Sequence, residues 1–311
     1  MFNKEYLDTL KEKYNYDDKT IRALLRIVPC LIDYYGEEYE KLILEAILSC
    51  EIIPCNSKQT ISKVRKENSI SLKNGVSEVA NIEVKGSESS YISDIKISYQ
   101  EESNKYVIED IKRKIVTSHT YNYDSPKGLE VLTYGLIKLI KSYQNEFTID
   151  ENVLIKRTGL EIEKRHIVKD NNDIYLDLLS HEGHGLEEGL NIYDTSRIVS
   201  LSLLDDYKCY DYDSIYTIAK ILKEKFKLKD ILNEAELTGD INNFKKATEK
   251  DSFEEECDKC LLLENEMFIA ITRDDKNELA SKINEELNKN IYDKLISIYE
   301  YLKTKKEKVS S

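Results

Sequence analysis

The sequence predicts an α+β fold, with a small antiparallel sheet and a core helix, a helical N-terminal lead-in and a mostly helical C-terminal half. Apolar residues recur at helical spacing through the first fifty positions and again beyond residue 186. Between about residues 57 and 118 the period shortens toward two, and β-branched and aromatic residues gather. After Pro126 a single amphipathic stretch follows the β-rich segment.

In the lead-in, Ile21, Leu24, Leu25, Val28, Leu31 and Ile32 share one helical face, and Leu42, Ile43, Ala46 and Ile47 form another. Asp17 or Asp18 is placed to cap the first of these helices. Pro29 is expected to bend or interrupt it, and Gly36 before Glu37 and Glu38 marks a break and restart. Strands are expected over 80–84, 91–99 and 105–118, with turns at 75–77 and 101–104. The helix after Pro126 puts Leu129, Leu132, Leu136, Leu139, Ile140 and Tyr143 on one face and ends near Asn145. Strands follow over 153–155, 160–168 and 174–178, before the loop-forming run Gly183-His184-Gly185. Helices are expected over 186–204, 215–226 and 279–302. The organisation is therefore 1–55 lead-in, 56–205 α+β region and 206–311 helical region. Without a fixed-period repeat or a long linker, these form one composite domain.

The charge balance, 46 − 59 = −13, argues against a nucleic-acid backbone or an anionic membrane surface as partner. The charges are interspersed as helical i,i+4 neighbours, as in Glu37, Glu38, Glu40 and Lys41, which is the pattern of a solvated surface. An acidic inhibitor that imitates nucleic acid remains a minor alternative. No basic-then-apolar start and no apolar window of bilayer length is present, so a cytoplasmic protein is expected. Six cysteines at irregular spacing fit reduced thiols.

Few motifs carry chemistry. Cys257-Asp258-Lys259-Cys260 has the spacing of a zinc knuckle, but no second pair completes four ligands, so a packed role is expected. His181-Glu182-Gly183-His184 is H-E-x-H rather than H-E-x-x-H, and two glycines argue for a loop with exposed histidines. His119 and His166 stand without neighbouring donors. The glycine loops of nucleotide, dinucleotide and serine-hydrolase sites are absent.

A strand over 105–118, a helix over 127–143, loops, and then Leu186-Glu187-Glu188-Gly189-Leu190-Asn191 together make up a longer pattern. Over about residues 105–205 it resembles the catalytic half of gluzincin-type zinc metallopeptidases. The resemblance implies a zincin-like fold in which Tyr134 and Lys138 take the places of the two histidines of H-E-x-x-H. Gly135 takes the place of the general-base glutamate, and Glu188 alone survives as a would-be ligand. Three protein ligands and a proton acceptor for the bound water are then missing their principal members.

On that basis the chain is expected to be a non-catalytic, metallopeptidase-like pseudoenzyme without a cofactor, acting through an unidentified protein partner. Lys138 is expected to place its ammonium beside Glu188, where a metal would have been. The alternative is an active zinc metallopeptidase with atypical ligands, for which His181, His184 and Glu188 are the first candidates.

Overall fold

Asn3 and Asp17 set the first two helices by satisfying orphan amide donors, as capping requires. Asn3 accepts from Tyr6 N to start α1 (Lys4–Tyr14), and Asp17 accepts from Thr20 N at 2.8 Å to start α2 (Asp18–Tyr35). Pro29 lies inside α2, which runs on to Tyr35; the expected interruption does not occur. The chain stops at Gly36, whose φ of 117° suits glycine, and restarts through a 3₁₀ turn (Glu37–Tyr39) into α3 (Glu40–Leu48). The structure, a computed structural model, describes residues 2–54, 89–117, 122–170, 173–209 and 213–248, together with Cys257, Asp258, Lys289, Asp293 and Glu300. The expected strand at 80–84, the turn at 75–77, His119, Lys259, Cys260 and most of the helix expected over 279–302 lie outside the described residues.

The chain divides into two compact units, each described here by itself. The first comprises Met1–Arg157, Glu163–Ser180 and Asp194–Cys209, and the second Thr158–Ile162, His181–Tyr193 and Tyr210–Ser311.

In the first unit, β1 (Cys50–Pro54), β2 (Ser89–Gln100) and β3 (Lys105–Thr117) form a sheet in the order β1-β3-β2. β2 and β3 pair antiparallel, from Ser89 opposite Thr117 to Gln100 opposite Lys105, with an irregularity between Lys96 and Ile97. β1 pairs parallel to β3, Cys50 opposite Arg113, so this sheet is mixed rather than purely antiparallel. A second sheet has the order β4-β5-β6-β7, from β4 (Phe147–Asp150), β5 (Val153–Thr158), β6 (Glu161–Asp170) and β7 (Asp173–Glu182). Ile95 and Ile97 of β2 pack with Phe147, Leu154 and Ile167, joining the two sheets through one apolar cluster.

Helix α4 (Pro126–Tyr143) begins as expected, with Ser125 accepting from Gly128 N at 3.1 Å and Pro126 at the first helical position. It is not amphipathic in place. Every residue from Gly128 to Ser142 is buried, Glu130, Thr133, Lys138 and Lys141 included. The reason is its position, with α2 and α3 packed on it as well as β2 and β3.

The charges this buries find partners. Lys141 Nζ lies 3.1 Å from Asp194 Oδ2, and neither side chain is exposed. Tyr34 and Tyr35 of α2 donate their hydroxyls to the same carboxylate at 2.5 and 3.0 Å. Asp194 belongs to α5 (His184–Leu203), so one carboxylate ties three helices together. A second cluster is built on Glu146, which accepts from Arg113 Nε at 2.8 Å and from the Tyr91 hydroxyl at 2.9 Å. Burial pushes the Tyr91 phenol well above its ordinary value, and the Glu146 carboxylate pushes it further. Burial, the largest single influence on Arg113, would lower it, but the charges of and hydrogen bonds to Glu146 and Tyr91 together outweigh burial and raise the guanidinium.

The described part of the second unit includes α6 (Asp213–Lys220), a π turn (Ile221–Lys225), α7 (Lys229–Thr238) and α8 (Asn242–Thr248). The helix expected over 215–226 is present but widens into the π turn. Buried Lys223 reaches Glu236 Oε2 and Asn233 Oδ1, each at 3.2 Å. No helix among the described residues is long and apolar enough to cross a membrane.

Two outcomes are expected. Replacing Lys141 with Met strands the Asp194 charge and should cost about 3–5 kcal/mol of unfolding free energy in urea titrations. The Tyr91 phenol, raised by folding, contributes stability that is whole below the unfolded value of about 10 and is lost as pH rises beyond it. Unfolding midpoints should therefore fall above about pH 10, and Tyr91→Phe should flatten that fall.

Candidate metal centre

The second unit contains the one group among the described residues with three converging metal donors. It is made where β6 starts and where β7 gives way to α5. β6 and β7 are neighbours in their sheet and are joined by only two residues, a link that an antiparallel pair can span and a parallel pair cannot. The first residue of β6, Glu161, is thereby set beside the end of β7, where His181 stands. Gly183 then turns the chain with a φ of 75°, a conformation glycine adopts without strain, and His184 opens α5.

That single turn folds the two imidazoles together, with ring centroids 5.1 Å apart and planes inclined at 34°. Both face the same atom. His181 Nε2 lies 2.6 Å and His184 Nδ1 3.1 Å from Glu161 Oε1. The three donor atoms all lie within 4.8 Å of one another. The Glu161 side chain is 9% exposed and each histidine side chain 34%, so a buried carboxylate is roofed by imidazoles that reach water.

Local structure fixes both arms. β5 ends at Thr158, and Gly159 makes the turn into Leu160 and Glu161 with a φ of 59°. A Cβ on Gly159 would fall 2.2 Å from Glu187 Oε2, so a side chain there would have to displace that carboxylate as well as adopt the left-handed backbone angle. Glu187, in the first turn of α5, accepts from Leu160 N at 2.8 Å. At the start of the same helix, Gly185 N donates to Asp258 Oδ1 at 2.6 Å, a carboxylate where a helix N-terminus favours negative charge. Gly185 is needed there because a Cβ would meet the Cys257 carbonyl oxygen at 2.5 Å.

Compared with the sequence expectation, His181 and His184 do come together, although neither is a loop residue: one ends a strand and the other opens a helix. The third donor is Glu161, in the place where the sequence reading put Glu188. Glu188 is buried on α5 and is not a member of the group. The signal for Glu161 was non-local, since only the β6–β7 pairing brings it to residues twenty positions away. Cys257 is buried, in keeping with the packed role expected of it.

The positions that the zincin resemblance singled out are divided between the two units. Tyr134, Gly135 and Lys138 are all buried on α4 in the first unit, with the Lys138 ammonium 5.3 Å from the Tyr134 ring centroid, a cation–π distance. Glu188 belongs to the second unit. Comparison with protein-family models, with curated proteins and with solved structures finds no match to this chain.

Gly159→Ala should be among the more damaging glycine substitutions. The left-handed backbone should cost about 1–2 kcal/mol before the collision with Glu187 is counted, read as a lowered thermal midpoint.

Proposed function

We propose that this chain is a metal-binding protein that holds one divalent transition-metal ion, zinc being the best fit, on Glu161 Oε1, His181 Nε2 and His184 Nδ1. The observation that carries the reading is the convergence of two imidazole nitrogens on one buried carboxylate oxygen. Two imidazoles and a carboxylate suit zinc and its first-row neighbours better than calcium or magnesium, which take oxygen ligands. Donors about 2.0–2.1 Å from one tetrahedral ion stand roughly 3.3 Å apart, so the 2.6 and 3.1 Å separations would open by about 0.7 and 0.2 Å.

Three protein donors leave a further position for water, and the exposed histidine edges give water access to it. A bound zinc ion acidifies such a water. Tyr134, Gly135 and Lys138 are not among these three donors; on this reading α4 is a core helix and the chain is no H-E-x-x-H peptidase. Any protein partner would act alongside the ion.

Metal analysis after loading with zinc and dialysis against a weak chelator is the test. The full chain should retain about one equivalent, and Glu161→Ala, His181→Ala and His184→Ala should each release it, whereas Glu188→Gln should keep it. Capture should weaken as pH falls, because protons compete for the imidazole nitrogens. An unaltered Glu161→Ala protein, or a wild-type chain that retains no metal, would overturn the reading.

A further inference from the structure

We infer that Glu187 is a positioning residue for this centre, setting the separation between the carboxylate arm and the histidine arm; the inference rests on the metal-binding reading. Glu187 is bonded to both arms at once. Its side-chain Oε2 accepts from the amide of Leu160, the residue immediately before Glu161, at 2.8 Å in a buried setting. Its backbone amide donates to the carbonyl of Gly183, the residue immediately before His184, at 3.0 Å. One residue therefore spans from the turn that presents Glu161 to the turn that presents both histidines.

The fit around this span is tight. Glu187 is fully buried, and Gly159 offers its carboxylate a surface with no side chain in the way. Its place in the first turn of α5 lets the helix dipole offset part of the buried charge. A shorter side chain cannot reach Leu160 N, and an apolar one cannot accept from it. In either case the start of β6 loses its tie to α5, and Glu161 loses its fixed distance to the imidazoles. Outer-shell partners of metal ligands typically carry about 10–100-fold in affinity.

The experiment is a zinc competition titration against a chromophoric chelator, with wild type, Glu187→Asp, Glu187→Gln and Glu187→Leu, alongside thermal midpoints with and without zinc. Glu187→Asp and Glu187→Leu should bind zinc about 10–100-fold more weakly, and the rise in midpoint that zinc produces should shrink. Glu187→Gln keeps an acceptor oxygen of the same reach and should recover most of the affinity. A residue that merely supports the fold would lower the midpoints with and without zinc equally, and would leave the zinc-induced rise intact. That result, or wild-type affinity in Glu187→Asp, overturns the positioning role while leaving the metal centre standing. Absence of zinc binding by the wild type overturns the centre and the positioning role together. Should Glu187→Leu fail to fold, the comparison of Glu187→Asp with Glu187→Gln decides the matter.

Discussion

A carboxylate withdrawn from water loses several kcal/mol of solvation unless something nearby carries compensating hydrogen or charge. At Glu161 two imidazoles stand within hydrogen-bond distance of the carboxylate, set there by the surrounding turns. The end of β7 delivers His181, the left-handed turn at Gly183 reverses the chain, and the first residue of α5 delivers His184. Gly159, Glu187 and Asp258 hold the flanking turns where these three residues can meet. The nitrogens that face the carboxylate are the same nitrogens that the proposed ion would use.

The first unit buries charge too, to a different end. Asp194 is closed by Lys141, Tyr34 and Tyr35, and Glu146 by Arg113 and Tyr91. Those partners are buried except for Arg113, which is partly exposed, and charged lysine and arginine donate without any lone pair for a metal. Such clusters lock helices and strands together and are costly to break. What distinguishes the Glu161 group is its partner chemistry and its opening to solvent, rather than the burial of its acid.

Much of the fold could be read from local chemistry. Asp17, Ser125, Pro126 and Gly36 each mark a helix boundary by a rule that needs no distant partner. The features that escaped reading are those decided by neighbours far along the chain. Lys138 and Lys141 have the composition of a solvated face, yet sheet and helices cover α4 on every side. β1 is five residues long and takes its place only by lying parallel to β3. Pro29 forfeits one hydrogen bond, and the packing of α2 carries the helix past it. The site shows the same division. The two histidines are near in sequence and can be paired by eye, and chain proximity suggests Glu188 as the third donor, whereas Glu161 is brought in by the pairing of β6 with β7. A strand pairing outweighs such proximity.

X-ray absorption at the zinc edge of the zinc-loaded full chain tests the central claim most directly. The account predicts outer-shell scattering from two imidazoles and a first shell of nitrogen and oxygen at about 2.0–2.1 Å. A shell of water oxygens alone, or sulfur ligation at about 2.3 Å, would contradict it.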